Sequence, residues 1–455
     1  MRGDHRNSRT RLARPGSGRL LALVLEGTVL VLAGLPSRSA ALTIDEAVAR
    51  AAASNPTLRA ARLEALAAQE RVPQAYARHL GDADLVASAS RYEGARLVRP
   101  ITGPLSPATI GSLPFDRDQL HYGAAWQIPL FAGGALVGGD RVARLAETAA
   151  RDAAAYAGDE VRYNVRAAYR NALALRHALA AAEAYEQALA RDEASARMKE
   201  ETEAWASADR DKVSYALAAA RSRRAALAAQ QRSALRLLGA LMGADGSPRD
   251  AELEDVTSEP TPPTQPTAGL LERARSARLD LAAARATTEG QRRRVGIARS
   301  GYWPQLAFVG NYLFNDAPSV GRPIQSYELT LQLRIPLFAD VGRVSAVREA
   351  EAAAAAAAER ERAKAVEVES QVVDATGRVE AARAALEAGK AQRRLGAEVA
   401  RVEALKLETG AGKVEDYLTA RAQEVDGETG YWQGLYALQS AIDYLELVSG
   451  TGGVR

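Results

Sequence analysis

Tyr327-Glu328-Leu329-Thr330-Leu331-Gln332-Leu333-Arg334 alternates apolar and polar residues and runs into Ile335-Pro336-Leu337-Phe338. A period of two puts Tyr327, Leu329, Leu331 and Leu333 on one side of an extended chain. The stretch therefore predicts a β-strand over about 325–338 with one apolar face. Its closing tetrapeptide also occurs 207 residues earlier, as Ile128-Pro129-Leu130-Phe131. There it ends another alternating run, Leu120, Tyr122, Ala124, Trp126 and Ile128, which predicts a strand over about 118–131.

The duplication extends beyond the strands. Leu58-Arg59-Ala60-Ala61-Arg62 lines up with Leu281-Ala282-Ala283-Ala284-Arg285, and Arg71-Val72 with Arg294-Val295, both at an offset of 223. The 16-residue difference between the two offsets fits an insertion in the Gly/Pro-rich stretch from Pro100 to Pro114. Between the copies, Glu259-Pro260-Thr261-Pro262-Pro263-Thr264-Gln265-Pro266 is too rich in proline for helix or strand. The expected organisation is a first structural repeat over 42–255, a linker over 256–268 and a second repeat over 269–455. Two further strands are expected at equivalent places. One, over about 305–315, has Leu306, Phe308, Tyr312 and Phe314 on one face; the other, over about 83–93, has its alternation blurred by small residues.

After each second strand the apolar spacing changes from two to alternating threes and fours. Val161, Val165, Ala168, Ala172, Leu175, Leu179 and Ala182 mark the first copy; Ala365, Val368, Val372, Ala375, Val379, Ala382 and Leu386 mark the second. This is a heptad seam of small residues, which lets helices approach closely and supercoil. It predicts long helices over 140–200 and 342–408, each followed by a hairpin and a second helix, to about 243 and over 413–449. Sixty residues of helix span roughly 90 Å. At the mature start, Thr43 and Glu46 form a capping box, and Asn55-Pro56 restarts the helix as N-cap and first turn.

Residues 1–41 read as an export signal. Six arginines precede the apolar stretch Leu20–Leu35, and Ser39-Ala40-Ala41 supplies the small residues of a cleavage site. A basic tail followed by a buried helix is the other reading. The chain carries a formal charge of +3, but residues 1–41 hold seven arginines against Asp4 and Glu26, so the mature protein is about −2. The basic balance belongs to the signal, which removes the compositional case for nucleic acid as a partner. With no cysteine, disulfides and thiolate metal sites are excluded. No apolar run after the signal approaches the roughly 20 residues of a membrane helix, so strands must carry any membrane segment.

The strands have membrane length and carry aromatics near their ends, among them Trp126, Phe131, Tyr302, Trp303 and Phe338. A half-buried soluble sheet is the alternative. Four strands in lipid cannot close a barrel, and an open edge would leave backbone groups unpaired at a cost of several kcal/mol each. One chain is therefore not the working unit. Two copies would close only a barrel filled by side chains, whereas three would give twelve strands and a water path.

In order and motifs the chain resembles the TolC-type family of outer-membrane efflux proteins. The matching residues are Leu42-Thr43-Ile44-Asp45-Glu46-Ala47 with Asn55-Pro56, Ile128-Pro129-Leu130-Phe131-Ala132-Gly133-Gly134, and the hairpin Gly410 through Ala420, in a likeness spanning residues 42–455. The resemblance implies an α+β membrane protein that forms a homotrimer, with a twelve-stranded barrel in outer-membrane lipid continuous with a twelve-helix periplasmic tunnel. It also implies a periplasmic adaptor and an inner-membrane pump as partners, in a tripartite efflux pump or a type I secretion system.

The resemblance places the periplasmic entrance and adaptor contact at the hairpin tip, with acidic side chains ringing the bore. Asp416 falls on one acidic position and Thr419 on the next; the latch arginine of some relatives falls on Gly412, beside Lys413. Glu415 and the turn residue Gly410 complete the second-copy tip, and Asp209 of the first copy is set opposite Gly410. Three copies of Asp416 around a narrow bore would favour cations; a solvated charge suited to a helix start is the other reading. The expected strand-to-helix turns hold Pro129, Gly133 and Gly134 in the first copy and Pro336 and Gly342 in the second. The expected lipid-facing side chains are Trp126, Leu329, Leu331 and Leu333. No catalytic constellation, metal cluster or cofactor motif is found: His5, His79, His121 and His177 are scattered, and the paired glycines read as tight turns. The competing functional reading is a periplasmic coiled-coil protein with a small soluble sheet and no transport.

Overall fold

The computed structural model describes residues 41–101, 106–202, 205–244, 248, 253–261, 265–338 and 341–450. Apart from Ala41, the export signal expected over 1–41 lies outside them. The first repeat contains α1 (Ile44–Ser54), α2 (Pro56–Ala77), β1 (Asp82–Leu97), α3 (Pro107–Gly111), β2 (Phe115–Ala132), α4 (Ala135–Glu201) and α5 (Ser207–Leu241). The second contains α6 (Thr267–Ala277), α7 (Leu279–Ser300), β3 (Gln305–Asp316), β4 (Ile324–Arg334), α8 (Val341–Glu408) and α9 (Val414–Ser449). Both early caps are made. The Thr43 hydroxyl accepts from the Glu46 N–H at 3.1 Å while the Glu46 carboxylate accepts from the Thr43 N–H, and Asn55 Oδ1 accepts from the Leu58 N–H at 3.1 Å.

The strands form one antiparallel sheet in chain order, β1-β2-β3-β4, with β1 and β4 as its two edges. Across the register, Ala83, Trp126, Gly310 and Leu329 share a row, as do Leu85, Ala124, Tyr312 and Tyr327. Paired residues point to the same side, so one face collects Leu85, Tyr122, Trp126, Phe308, Phe314 and Leu331. The opposite face carries Asp84, Ser88, His121, Asn311, Glu328 and Gln332. Sequence alternation thus becomes a sheet that is apolar on one side and polar on the other.

Proline decides where the strands end. Pro129 is accommodated because β1 begins at Asp82, opposite Gln127, so Pro129 has a neighbouring strand only on the β3 side, where the register shifts before Phe131. In the second copy β4 stops at Arg334, short of the expected 338. Ile335, Pro336, Leu337 and Phe338 leave the ladder, the last two more than 80% exposed.

Beyond the sheet, α4 and α8 have 67 and 68 residues, each roughly 100 Å long. Their seams are buried as the spacing predicts at Val165, Ala168 and Ala172, and at Val368, Val372 and Ala375, although Leu175 and Leu179 are only half-buried. Tyr169 and Leu173, which the heptad count passes over, are fully buried and join α1 and the end of α5 in one core. A second core links α6, α8 and α9.

The end of the first repeat and the start of the linker strap these cores together. Leu253 pairs with Leu42 in a parallel bridge, and the Tyr169 hydroxyl lies between the carbonyl oxygens of Leu42 and Glu254. Asp255 takes Arg176 at 2.7 Å and His177 at 2.9 Å from α4, and Tyr436 at 3.1 Å from α9. Burial alone would raise the Asp255 carboxyl, but the His177 hydrogen bond and Arg176 more than offset it and hold it below the usual carboxylate value. Lys390 of α8 pairs with Glu259 at 2.7 Å.

Candidate periplasmic entrance

The turns α4–α5 and α8–α9 stand a full helix length from the sheet. After α8, Gly410 adopts φ +76°, and the N–H groups of Ala411 and Gly412 both donate to the Lys406 carbonyl at 2.9 Å. This closes the helix on its own last turn. Gly412 is then pressed against the helix it follows: a Cβ there would lie 2.9 Å from Lys406 Cβ and 3.0 Å from the Leu407 nitrogen. The turn therefore explains why no side chain occupies the position where the family resemblance looks for a latch arginine.

Lys413 precedes α9, and Glu415 and Asp416 occupy its first turn, where carboxylates suit the exposed N–H groups. Asp416, Glu415 and Thr419 are all exposed. Asp209 is not the counterpart of Gly410. It is the third residue of α5, as Asp416 is the third of α9, at the same 207-residue offset as the Ile-Pro-Leu-Phe pair. The two hairpin loops, 202–206 and 409–413, have equal length, so helix ends and helix starts share the offset of 207 and any other match of the turns misplaces Asp209.

Toward the tip, three polar contacts tie the first hairpin to the second. The Tyr417 hydroxyl donates to Asp192 of α4 at 2.7 Å; burial, with the carboxylate as acceptor, pushes the phenol well above its usual value. Lys212 of α5 sits 3.1 Å from its own helix-mate Asp209 and 3.1 Å from Glu415. The two hydrogen bonds raise its pKa. Deeper, Arg223 pairs with Asp426 at 2.8 Å. Nothing local in the sequence pointed to these links, since the partners in the other hairpin lie about two hundred residues away along the chain. Asp416 has no ion-pair partner among the described residues, whereas Asp209 is neutralised by Lys212. Beside these contacts an open groove of about 770 Å³ runs between α5 and α9, lined by Tyr185, Lys212, Tyr215 and Leu418.

At the sheet end, Leu329, Leu331 and Leu333 are 58–63% exposed, on the same face as Trp126, whose ring lies over Gly310 where any Cβ would collide with it. Gly133 and Gly134 make the β2–α4 turn with φ +61° and +90°. A Cβ on Gly133 would come within 2.6 Å of the Ser300 carbonyl oxygen, so this close approach needs glycine as well as the positive φ. Gly342 is not in the corresponding second turn but is the second residue of α8; Pro336 lies in the segment before it. Among the described residues no helix is long and apolar enough to cross a membrane, and no group of three or more His, Asp or Glu is placed to hold a metal ion.

Residues 270–451 match the model of the family described as outer membrane efflux protein. No curated protein sequence matches the chain. Among solved structures, a membrane protein from Pseudomonas aeruginosa superposes with a TM-score of 0.76 at 19% identity, covering 90% of this chain and 93% of that one. The Campylobacter jejuni CmeC outer membrane channel gives 0.77 at 15% identity over 90% and 86%. The outer membrane protein VceC of Vibrio cholerae gives 0.74 at 17% identity over 90% and 96%. At these identities the likeness is one of fold.

Proposed function

From the match of residues 270–451 to the outer membrane efflux protein family, we propose that the whole chain is the outer-membrane exit duct of a multi-component export machine. It sits in the outer membrane, with a long periplasmic helical extension. Three copies close a twelve-stranded barrel, edge β4 of one against edge β1 of the next, and the helices below assemble into one tunnel. The observation that carries this reading is the sheet: four membrane-length strands, one continuous apolar face, and both edges open. A soluble sheet would leave that face in water, and a lone sheet in lipid would leave its edges unpaired.

Transport is passive through the duct, with the driving energy supplied by an inner-membrane pump reached through a periplasmic adaptor. Efflux pumps and type I secretion systems both supply such machinery. The groove between α5 and α9 is where the adaptor docks. The entrance is held shut by the Tyr417–Asp192, Lys212–Glu415 and Arg223–Asp426 links, in place of an arginine at Gly412. Asp416 faces the bore and gives it a preference for cations.

The test is fractionation of cells expressing the full chain, followed by electrophoresis with and without heating. A heat-sensitive band at three times the chain mass in the outer-membrane fraction is expected. A soluble periplasmic monomer would refute the duct.

A further inference from the structure

We propose that the junction between sheet and helices is a binding collar for anionic phospholipid head groups of the leaflet that faces the helices. This rests on the outer-membrane placement of the sheet. Residues 70–81, 133–148, 289–304 and 341–351, which flank the junction on α2, α4, α7 and α8, hold ten arginines against six carboxylates. At the other end of the strands the charges nearly balance: over 91–118 and 316–323, five arginines meet four carboxylates.

The surplus is also unspent. Arg71, Arg78, Arg141, Arg144, Arg294 and Arg348 are exposed, and none has an acidic partner among the described residues. Glu70, Glu147 and Glu349 stand nearby with no basic partner among the described residues, while Glu289 and Glu351 are taken by Arg293 and Arg299 at 2.7 Å. Apolar side chains lie just above these arginines. Leu80, Val137, Trp303, Phe338 and Val341 are all at least half exposed at the level where strands meet helices.

Helical spacing aligns the two sets. Val137, Arg141 and Arg144 follow one another at i, i+4 and i+7 on α4, and Val341 and Arg348 lie seven apart on α8, so each helix shows an apolar residue above a cation on one face. Arg141, Arg294 and Arg348 lie six or seven residues from the sheet end of their helices, roughly 10 Å along the axis. The polar head-group layer is about 5–8 Å deep beyond the hydrocarbon. Guanidinium groups on flexible stems reach back across that gap, with their methylenes against the apolar residues above. The ligand chemistry is a phosphate diester with net negative charge, which planar guanidinium groups grip through paired hydrogen bonds. A zwitterionic lipid offers the same phosphate beside a cancelling amine.

The experiment offers the purified full protein in detergent an equimolar mixture of phosphatidylglycerol and phosphatidylethanolamine with identical chains, and measures the lipid that stays bound. About tenfold enrichment of phosphatidylglycerol is expected, as suits several basic side chains beside an anionic surface. The triple variant R141A/R144A/R348A should lose most of it, R141K/R144K/R348K should keep most of it, and raised salt should abolish it. A wild type with no preference, or an alanine variant that keeps the wild-type preference with an unchanged helical circular dichroism signal, overturns the collar. If the alanine variant unfolds, enrichment on the wild type alone at low and high salt decides the matter. A protein that never reaches the outer-membrane fraction would refute the duct and the placement of the collar with it, whereas a heat-sensitive trimer from that fraction with no preference for phosphatidylglycerol overturns the collar alone.

Discussion

The two hairpins have the same length and plan, yet they are held by different forces. In the second, α8 and α9 touch backbone to backbone. A Cβ on Gly389 would lie 2.9 Å from the Gly430 carbonyl oxygen, one on Gly427 would lie 2.8 Å from that of Gln392, and one on Gly434 would lie 2.9 Å from Leu386 Cα. In the first, α4 and α5 meet through side chains: Leu189, Leu217 and Ala220 form a small cluster, flanked by Glu186 with Arg221 and Arg224 and by Glu193 with Ser214. Glycine spacing makes the second pair intolerant of added volume and stiff as a unit. The side-chain seam of the first can shift by rotamer changes. A duplicated sequence has thus become one rigid arm and one adjustable arm, joined at the tip by three polar links.

The largest effect is expected from filling the glycine seam. G389A and G427A should each cost about 1–3 kcal/mol through overpacking that neither backbone can relieve. Thermal unfolding followed at 222 nm would show this, and the double variant should also lose the heat-sensitive trimer. Equal tolerance of Ala220→Val in the first hairpin and of G427A in the second would erase the distinction.

Next comes the joint between the arms. Y417F removes the hydroxyl that Asp192 accepts and leaves a half-buried carboxylate without its donor, at a cost of about 1–3 kcal/mol. Because the lost bond lies between the arms, the entrance should open more readily, read as higher single-channel conductance in planar bilayers. Conductance identical to wild type would show that this bond does not hold the tip closed.

Smaller is K212A, whose two partners are solvent-exposed or nearly so. Its conductance increase should be visible at low ionic strength and vanish in 1 M salt, as screening of a surface pair requires. The finest test sets the two equivalent carboxylates against each other. D416A should reduce cation selectivity, measured as a shift of reversal potential in a salt gradient. D209A should shift it less, because Lys212 already compensates that charge. Equal shifts would mean that the two helix starts present their charges to the bore alike, and no shift from either would remove the acidic ring altogether.

Much of this protein was open to sequence reading because period and propensity are local. The alternation around Leu329 and around Tyr122 marks the strands, the three-and-four spacing from Val161 and from Val368 marks the long helices, and Thr43 with Glu46 marks a cap that forms as written. Proline at 336 was visible too, but its effect was not: whether it ends a strand or lies beside it depends on which neighbour stands at that row. For Pro129 there is a partner on one side only.

Repeat, element order, small-residue seams and the need for further strands to close the sheet all follow from residue order, since hydrophobic periodicity and backbone hydrogen bonding act within a few residues or on every strand alike. The fold decided the rest. It set Asp209 against Asp416 rather than Gly410, made Gly412 too crowded for a side chain, and brought Tyr417 to Asp192 across 225 residues. The last of these depends on where α9 lies against α4, a rod roughly 100 Å long. A small rotation or slide at the seam is magnified along such rods, and no local pattern of residues encodes it.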